Sequence, residues 1–137
     1  MSEELLFVYG TLKRSVKDSK SYLLAPYCNF YCDASVNGKL YLAQHETDTQ
    51  FAYPALVYNS NTDAIVCGEL YTIYQKEALF EVLDDYEGCS EEYSEPYQYQ
   101  RRQIDAYLSN GQKKTVWTYV YNWSVNELDL IQSGDFS

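Results

Sequence analysis

The chain has 137 residues, enough for one compact domain over 1–137 that buries most of its apolar surface without a metal or a disulfide. Ten basic residues against twenty acidic ones give a net charge of −10, which repels nucleic acid and anionic membrane alike. No stretch approaches the roughly 18 apolar residues of a membrane span. The opening Met1-Ser2-Glu3-Glu4 lacks the basic start of a secretory signal, so a soluble, cytoplasmic protein is expected.

In chain order, residues 5–9 form a continuous apolar run that stops at Gly10-Thr11, the pattern of a buried strand feeding a tight loop. Glycine there lets successive N–H groups turn toward one anion, although one glycine is a weak signal by itself. Lys13, Arg14, Lys17 and Lys20 cluster just beyond, as a solvated basic face or as a contact for a ligand carboxylate. A short helical turn is expected over 19–24. Strands are expected over 30–36 and 39–43, with Asn37-Gly38 between them as a hairpin turn. Residues 53–58 read as another strand, whose Pro54 suits an edge or a strand start. Over 65–74, alternation puts Ile65, Cys67, Glu69, Tyr71 and Ile73 on one face. On that face Cys67 is expected to serve packing. Glu69 is either a functional carboxylate or a polar residue at a strand edge or paired with an Arg.

Residues 76–87 carry the one long helical pattern, with Ala78, Leu79, Val82, Leu83 and Tyr86 at amphipathic spacing and Gly88 placed to end the helix. Glu87 falls in its last turn, where unpaired carbonyls concentrate negative charge and Asp84 lies one turn back. It also extends the line Leu79, Leu83 along the edge of the apolar stripe. All three effects raise a carboxyl pKa and suit general acid/base work near neutral pH. Read from this segment alone, a solvated acidic helix end is the commoner explanation. Residues 88–96 form an acidic loop able to cover a pocket. Strands over 97–108 and 114–122 then flank Ser109-Asn110-Gly111 as a long hairpin.

Cys28, Cys32, Cys67 and Cys89 show no CxxC pair, so free thiols are expected rather than zinc ligands or disulfides. The single histidine, His45, lies in a polar run without an obvious partner, which argues against a Ser/His or Cys/His nucleophile. The sixteen tyrosines largely follow strand alternation, as half-buried sheet residues whose hydroxyls reach water, with a few left to line a pocket. Many strands and one principal helix argue for an α+β domain built on a small, mixed, barrel-like curled sheet.

Several short motifs recur in a set order: Phe7-Val8-Tyr9-Gly10-Thr11-Leu12, Gly38-x-Leu40-Tyr41, Tyr53-Pro54-Ala55, Val66-x-Gly68-Glu69-Leu70-Tyr71, Leu83-Asp84-x-Tyr86-Glu87-Gly88, Tyr99-x-Arg101, Trp117-x-Tyr119-Val120-Tyr121 and Ser133-Gly134-Asp135-Phe136. In this order and spacing the chain resembles, over essentially its full length, the γ-glutamylcyclotransferase-like (AIG2-like) family, which includes γ-glutamylamine cyclotransferases. The resemblance implies a small mixed barrel with a pocket at one end, and a reaction without cofactor or metal. It implies that Tyr9, Gly10, Thr11 and Leu12 bind the α-amino acid end of a γ-glutamyl substrate, that Glu87 is the proton acceptor, and that Tyr119 lines the pocket. The acidic segment 89–95 suggests, from charge alone, a cationic leaving group such as a lysine ε-amine. A non-catalytic ligand-binding or scaffold domain of the same fold is the alternative that resemblance leaves open.

Overall fold

The computed structural model describes residues 4–16, 19–44, 52–86, 99–126 and 128–136. Its strands are β1 (Leu5–Val8), β2 (Cys28–Gln44), β3 (Ala52–Tyr58), β4 (Ile65–Ile73), β5 (Tyr99–Leu108), β6 (Lys113–Tyr121) and β7 (Asp129–Ile131), with one helix, α1 (Lys76–Tyr86), between β4 and β5. A single 3₁₀ turn at Ser21–Leu23 matches the helical turn expected there.

Five strands close into a mixed barrel in the order β2-β4-β1-β6-β5, with a β5–β2 pairing (Ala34 opposite Leu108, Ser35 opposite Tyr107) as the final seam. β1 runs parallel to β6, and the other pairings of the described strands are antiparallel. Period-2 alternation separates two cores. Phe7, Val36, Val66, Leu70, Ile104, Ala106 and Val116 fill the barrel interior. Leu6, Val8, Tyr71, Ile73 and Tyr119 face outward, where Leu79, Phe80 and Leu83 of α1 cover them. Leu79 and Leu83 are fully buried. Each such leucine stabilises the domain by about 1.5–3 kcal/mol through its burial.

The hairpin expected at Asn37-Gly38 does not form. One continuous strand runs through both residues and changes partner there, pairing with β4 up to Asn37 and with β3 from Gly38 onward. The pair marks a sheet switch. Asn37 donates through Nδ2 to the Thr62 carbonyl at 3.0 Å, and Gly38 N–H donates to the Ala64 carbonyl at 3.0 Å. A Cβ at Gly38 would sit 2.4 Å from the Val57 carbonyl oxygen, so glycine is needed for close approach to β3 rather than for a two-residue turn. The second expected hairpin is present, with Gly111 at φ 85° between β5 and β6. Pro54 lies on β3, whose pairing among the described strands is with β2 alone, in keeping with an edge. Among the described residues, no helix is long and apolar enough to cross a membrane.

Candidate active site

The loop that follows β1 is where the expected substrate-binding residues stand. Gly10 packs against β3, because a Cβ there would lie 2.3 Å from Pro54 Cγ. The turn is closed by Lys13 N–H donating to the Gly10 carbonyl at 2.9 Å, and by Lys20 N–H donating to the Thr11 carbonyl at 2.7 Å. Tyr9 and Leu12 are buried, Tyr9 in the barrel interior and Leu12 under the helix layer. Their side chains therefore build the loop, and its backbone and Thr11 are left to face a ligand. Among the described residues, the N–H groups of Thr11 and Leu12 have no backbone acceptor, which is the condition for an anion nest.

The C-terminal turn of α1 is tied to the same place. Tyr86 and Thr11 share a hydrogen bond between their hydroxyls at 2.7 Å. Two residues earlier, the Asp84 carboxylate accepts from Tyr119 O–H at 2.6 Å and from Arg101 Nη1 at 2.7 Å. The Arg101 guanidinium is held over the Phe80 ring, 4.2 Å from its centroid. Tyr9 O–H donates to the Tyr119 carbonyl at 2.6 Å, and Tyr99 O–H donates to the Pro54 carbonyl at 2.8 Å. Strands β1, β3, β5 and β6 and the end of α1 thus converge, linked by tyrosine hydroxyls.

Several sequence expectations change here. Most tyrosine hydroxyls are expected to reach water, but those of Tyr9, Tyr99 and Tyr119 are bonded within the protein. Asp84, treated above as an uncompensated negative charge, is ion-paired with Arg101, so it repels a neighbouring carboxylate less than its position in the sequence suggests. Glu87, the expected proton acceptor, lies outside the described residues, as do Gly88, Cys89, the acidic segment 89–95, His45 and Lys17. Arg101 had no assigned role in the site, and Asp84 only that of a charge beside Glu87. Their signal was the pairing of Leu83-Asp84 with Tyr99-x-Arg101, motifs whose connection is visible only in three dimensions.

The basic cluster after β1 is not uniformly solvated. Lys13 is buried and its Nζ lies 2.6 Å from Asp135 Oδ1, which pins the C-terminal segment to the loop. Glu69 is buried as well, accepting Arg14 N–H at 2.9 Å and Tyr71 O–H at 3.2 Å on Oε1. The structure makes it a carboxylate that organises the loop through the Arg14 backbone, with no ion pair to an Arg among the described residues. Burial, reinforced by the Glu69 charge, pushes the Tyr71 hydroxyl well up, so it remains a donor. Cys67 is exposed, contrary to the packing role expected of it. Cys28 is buried and its thiol is pushed up to about 12 by desolvation. Cys28, Cys32 and Cys67 are free thiols. Among the described residues, no group of three or more His, Cys, Asp or Glu side chains is arranged to hold a metal ion.

The family model for γ-glutamyl cyclotransferase, AIG2-like proteins matches residues 6–137. The chain belongs to the γ-glutamyl cyclotransferase, AIG2-like family. Among solved structures, an AIG2-like protein from Mus musculus is 24% identical, with 93% of this chain and 82% of that one covered at a TM-score of 0.67. YkqA from Bacillus subtilis is 25% identical at a TM-score of 0.65, covering 98% of this chain, which spans only 40% of the bacterial one. A γ-glutamyl cyclotransferase is 15% identical at a TM-score of 0.60, covering 94% and 70% of the two chains, a likeness of fold. No curated protein matches the sequence.

Proposed function

We propose that this protein is a cofactor-independent γ-glutamyl cyclotransferase, acting in the cytoplasm on a small γ-glutamyl amide and releasing 5-oxoproline and a free amine or amino acid. In this reading the nucleophile belongs to the substrate. Its neutral α-amine attacks its own γ-carbonyl, a C–N bond closes the five-membered lactam, and the bond to the γ-nitrogen breaks. Ring closure of a held substrate has a large effective molarity, so the protein's task is to position the substrate and to move protons.

Glu87 takes the proton from the attacking amine and returns it to the departing nitrogen. The backbone N–H groups of Thr11 and Leu12 hold the α-carboxylate, and Gly10, lacking the Cβ that would meet Pro54, lets the loop that presents them pack against β3. Tyr9 and Leu12 support the loop, and Tyr119 borders the pocket while bonding Asp84. The observation that carries this reading is the 2.7 Å contact between Thr11 and Tyr86, because Glu87 is the very next residue. The acidic residues of segment 89–95 favour a cationic leaving group, with a lysine ε-amine the first to try.

The test is to incubate the purified protein with γ-glutamyl amino acids, γ-glutamyl amines and the ε-(γ-glutamyl)lysine isopeptide, and to detect 5-oxoproline by mass spectrometry. Product from one of these supports the reading and names the substrate. Saturable thermal stabilisation by γ-glutamyl compounds without product from any of them would favour the ligand-binding alternative.

A further inference from the structure

A cavity of about 770 Å³ lies beyond the far side of the loop after β1, over the outer face of β2 and β4 and the end of β5. It is lined by Lys13, Arg14, Asp33, Cys67, Glu69 and Asp135 among others, and by none of residues 9–12, 54, 84, 86 or 119. The volume falls within the usual range for small-molecule sites, about 300–1,000 Å³.

The charges around it are of two kinds. Lys13 and Glu69 are 5% and 4% exposed and already engaged, Lys13 with Asp135 and Glu69 Oε1 with Arg14 N–H and Tyr71 O–H. They fix the wall. Arg14 and Asp33, by contrast, make no ion pair with any described residue. The Arg14 guanidinium is stacked on Phe30, 3.5 Å from the ring centroid, which sets its plane while leaving its N–H fork open. Glu69 Oε2 takes no hydrogen bond from any described residue. Opposite charges that border one space without closing on each other leave it open to a ligand carrying both signs. A lone anion would be repelled by Asp33 and Glu69, and a lone cation would leave Arg14 unmatched.

We propose that this cavity binds a small zwitterion, an α-amino acid or a short peptide, with its carboxylate on the Arg14 fork and its ammonium group toward Glu69 and Asp33. The site is distinct from the candidate active site and does not depend on the reaction proposed for it. It is nevertheless part of one hydrogen-bonded unit with that site's loop, since Arg14 N–H is bound to Glu69 and Lys13 N–H to the Gly10 carbonyl.

Cys67 lines the cavity and is exposed, so it reports occupancy. Alkylation of the full chain by iodoacetamide, resolved peptide by peptide, is measured with L-lysine, L-glutamine or glycylglycine, and with the single-charge analogues n-hexylamine and hexanoate. A zwitterion at ten times its dissociation constant should slow Cys67 alkylation about tenfold by mass action, and the analogues should not. Arg14→Gln, at an exposed position, should abolish protection while the protein stays folded. Glu87→Gln should leave protection intact, which separates this site from the proposed activity. Failure of all three zwitterions to protect, equal protection by the analogues, or unchanged protection in Arg14→Gln would overturn the proposal.

Discussion

The loop after β1 divides two polar regions of opposite character. Toward α1, Tyr9, Asp84, Tyr86, Tyr99, Arg101 and Tyr119 bond to one another, to Thr11 or to backbone carbonyls, forming a linked set that joins four strands and a helix end. Toward β2, Arg14 and Asp33 line a cavity without making an ion pair with any described residue. Groups that satisfy one another fix geometry, which suits the proposed reaction of a carboxylate beside an anion nest. Groups facing a cavity without partners keep their capacity for a ligand.

Breaking the helix side should have the largest effect on stability. Leu83→Ala removes a fully buried side chain beneath the turn that carries Asp84 and Tyr86, and should cost about 2–5 kcal/mol in denaturant unfolding. Gly10→Ala forces a Cβ against Pro54 and should cost about 1–3 kcal/mol, with a fall in 5-oxoproline formation. Tyr119→Phe removes one of two described donors to Asp84 but leaves Arg101 in place. Because that carboxylate is partly exposed, the loss should be about 1.5 kcal/mol, at the low end for a bond to a charged group. On the cavity side, Arg14→Gln should shift stability by no more than about 0.5 kcal/mol, the outcome expected of a side chain held for a ligand.

A further small effect should be pH-dependent. Trp117 Nε1–H donates to Glu4 Oε2 at 2.6 Å, and this bond holds the Glu4 carboxyl below its ordinary range against the opposing effect of burial, with a lesser contribution from Lys76. A lowered folded-state value contributes stability that is present above the unfolded pKa and lost as pH falls through the folded one. Trp117→Phe should therefore remove the Glu4 part of that stabilisation at neutral pH, under about 1 kcal/mol for so exposed a group. This pH-dependent difference from the parent should shrink as pH falls through the folded Glu4 value. Melting the two proteins across that range checks the sign, because the packing lost with the indole does not titrate.

Features governed by neighbours in sequence were readable before the structure. The apolar run ending at Gly10, the stripe of α1 and the turn at Ser109-Asn110-Gly111 each depend on spacing within a dozen residues. Gly38 was misread because Asn-Gly is a local turn signal, whereas the requirement it meets is imposed by Val57 on another strand. Alternation correctly grouped Cys67 with Glu69 and Tyr71, but which stretch of that face is covered depends on where α1 and residues 13–15 settle. Burial of Lys13 follows from Asp135, 122 positions away, and the role of Asp84 from Arg101 and Tyr119, 17 and 35 positions away. The motifs that marked the family supplied those residues without their connections.

The most direct test compares the parent protein with Glu87→Gln for 5-oxoproline formation from the best γ-glutamyl substrate, alongside thermal stabilisation by that compound. The expected result is a loss of turnover of about 10²–10⁴-fold, the usual contribution of a general acid/base, with folding and ligand stabilisation retained. Turnover by Glu87→Gln at the parent rate would contradict the central claim.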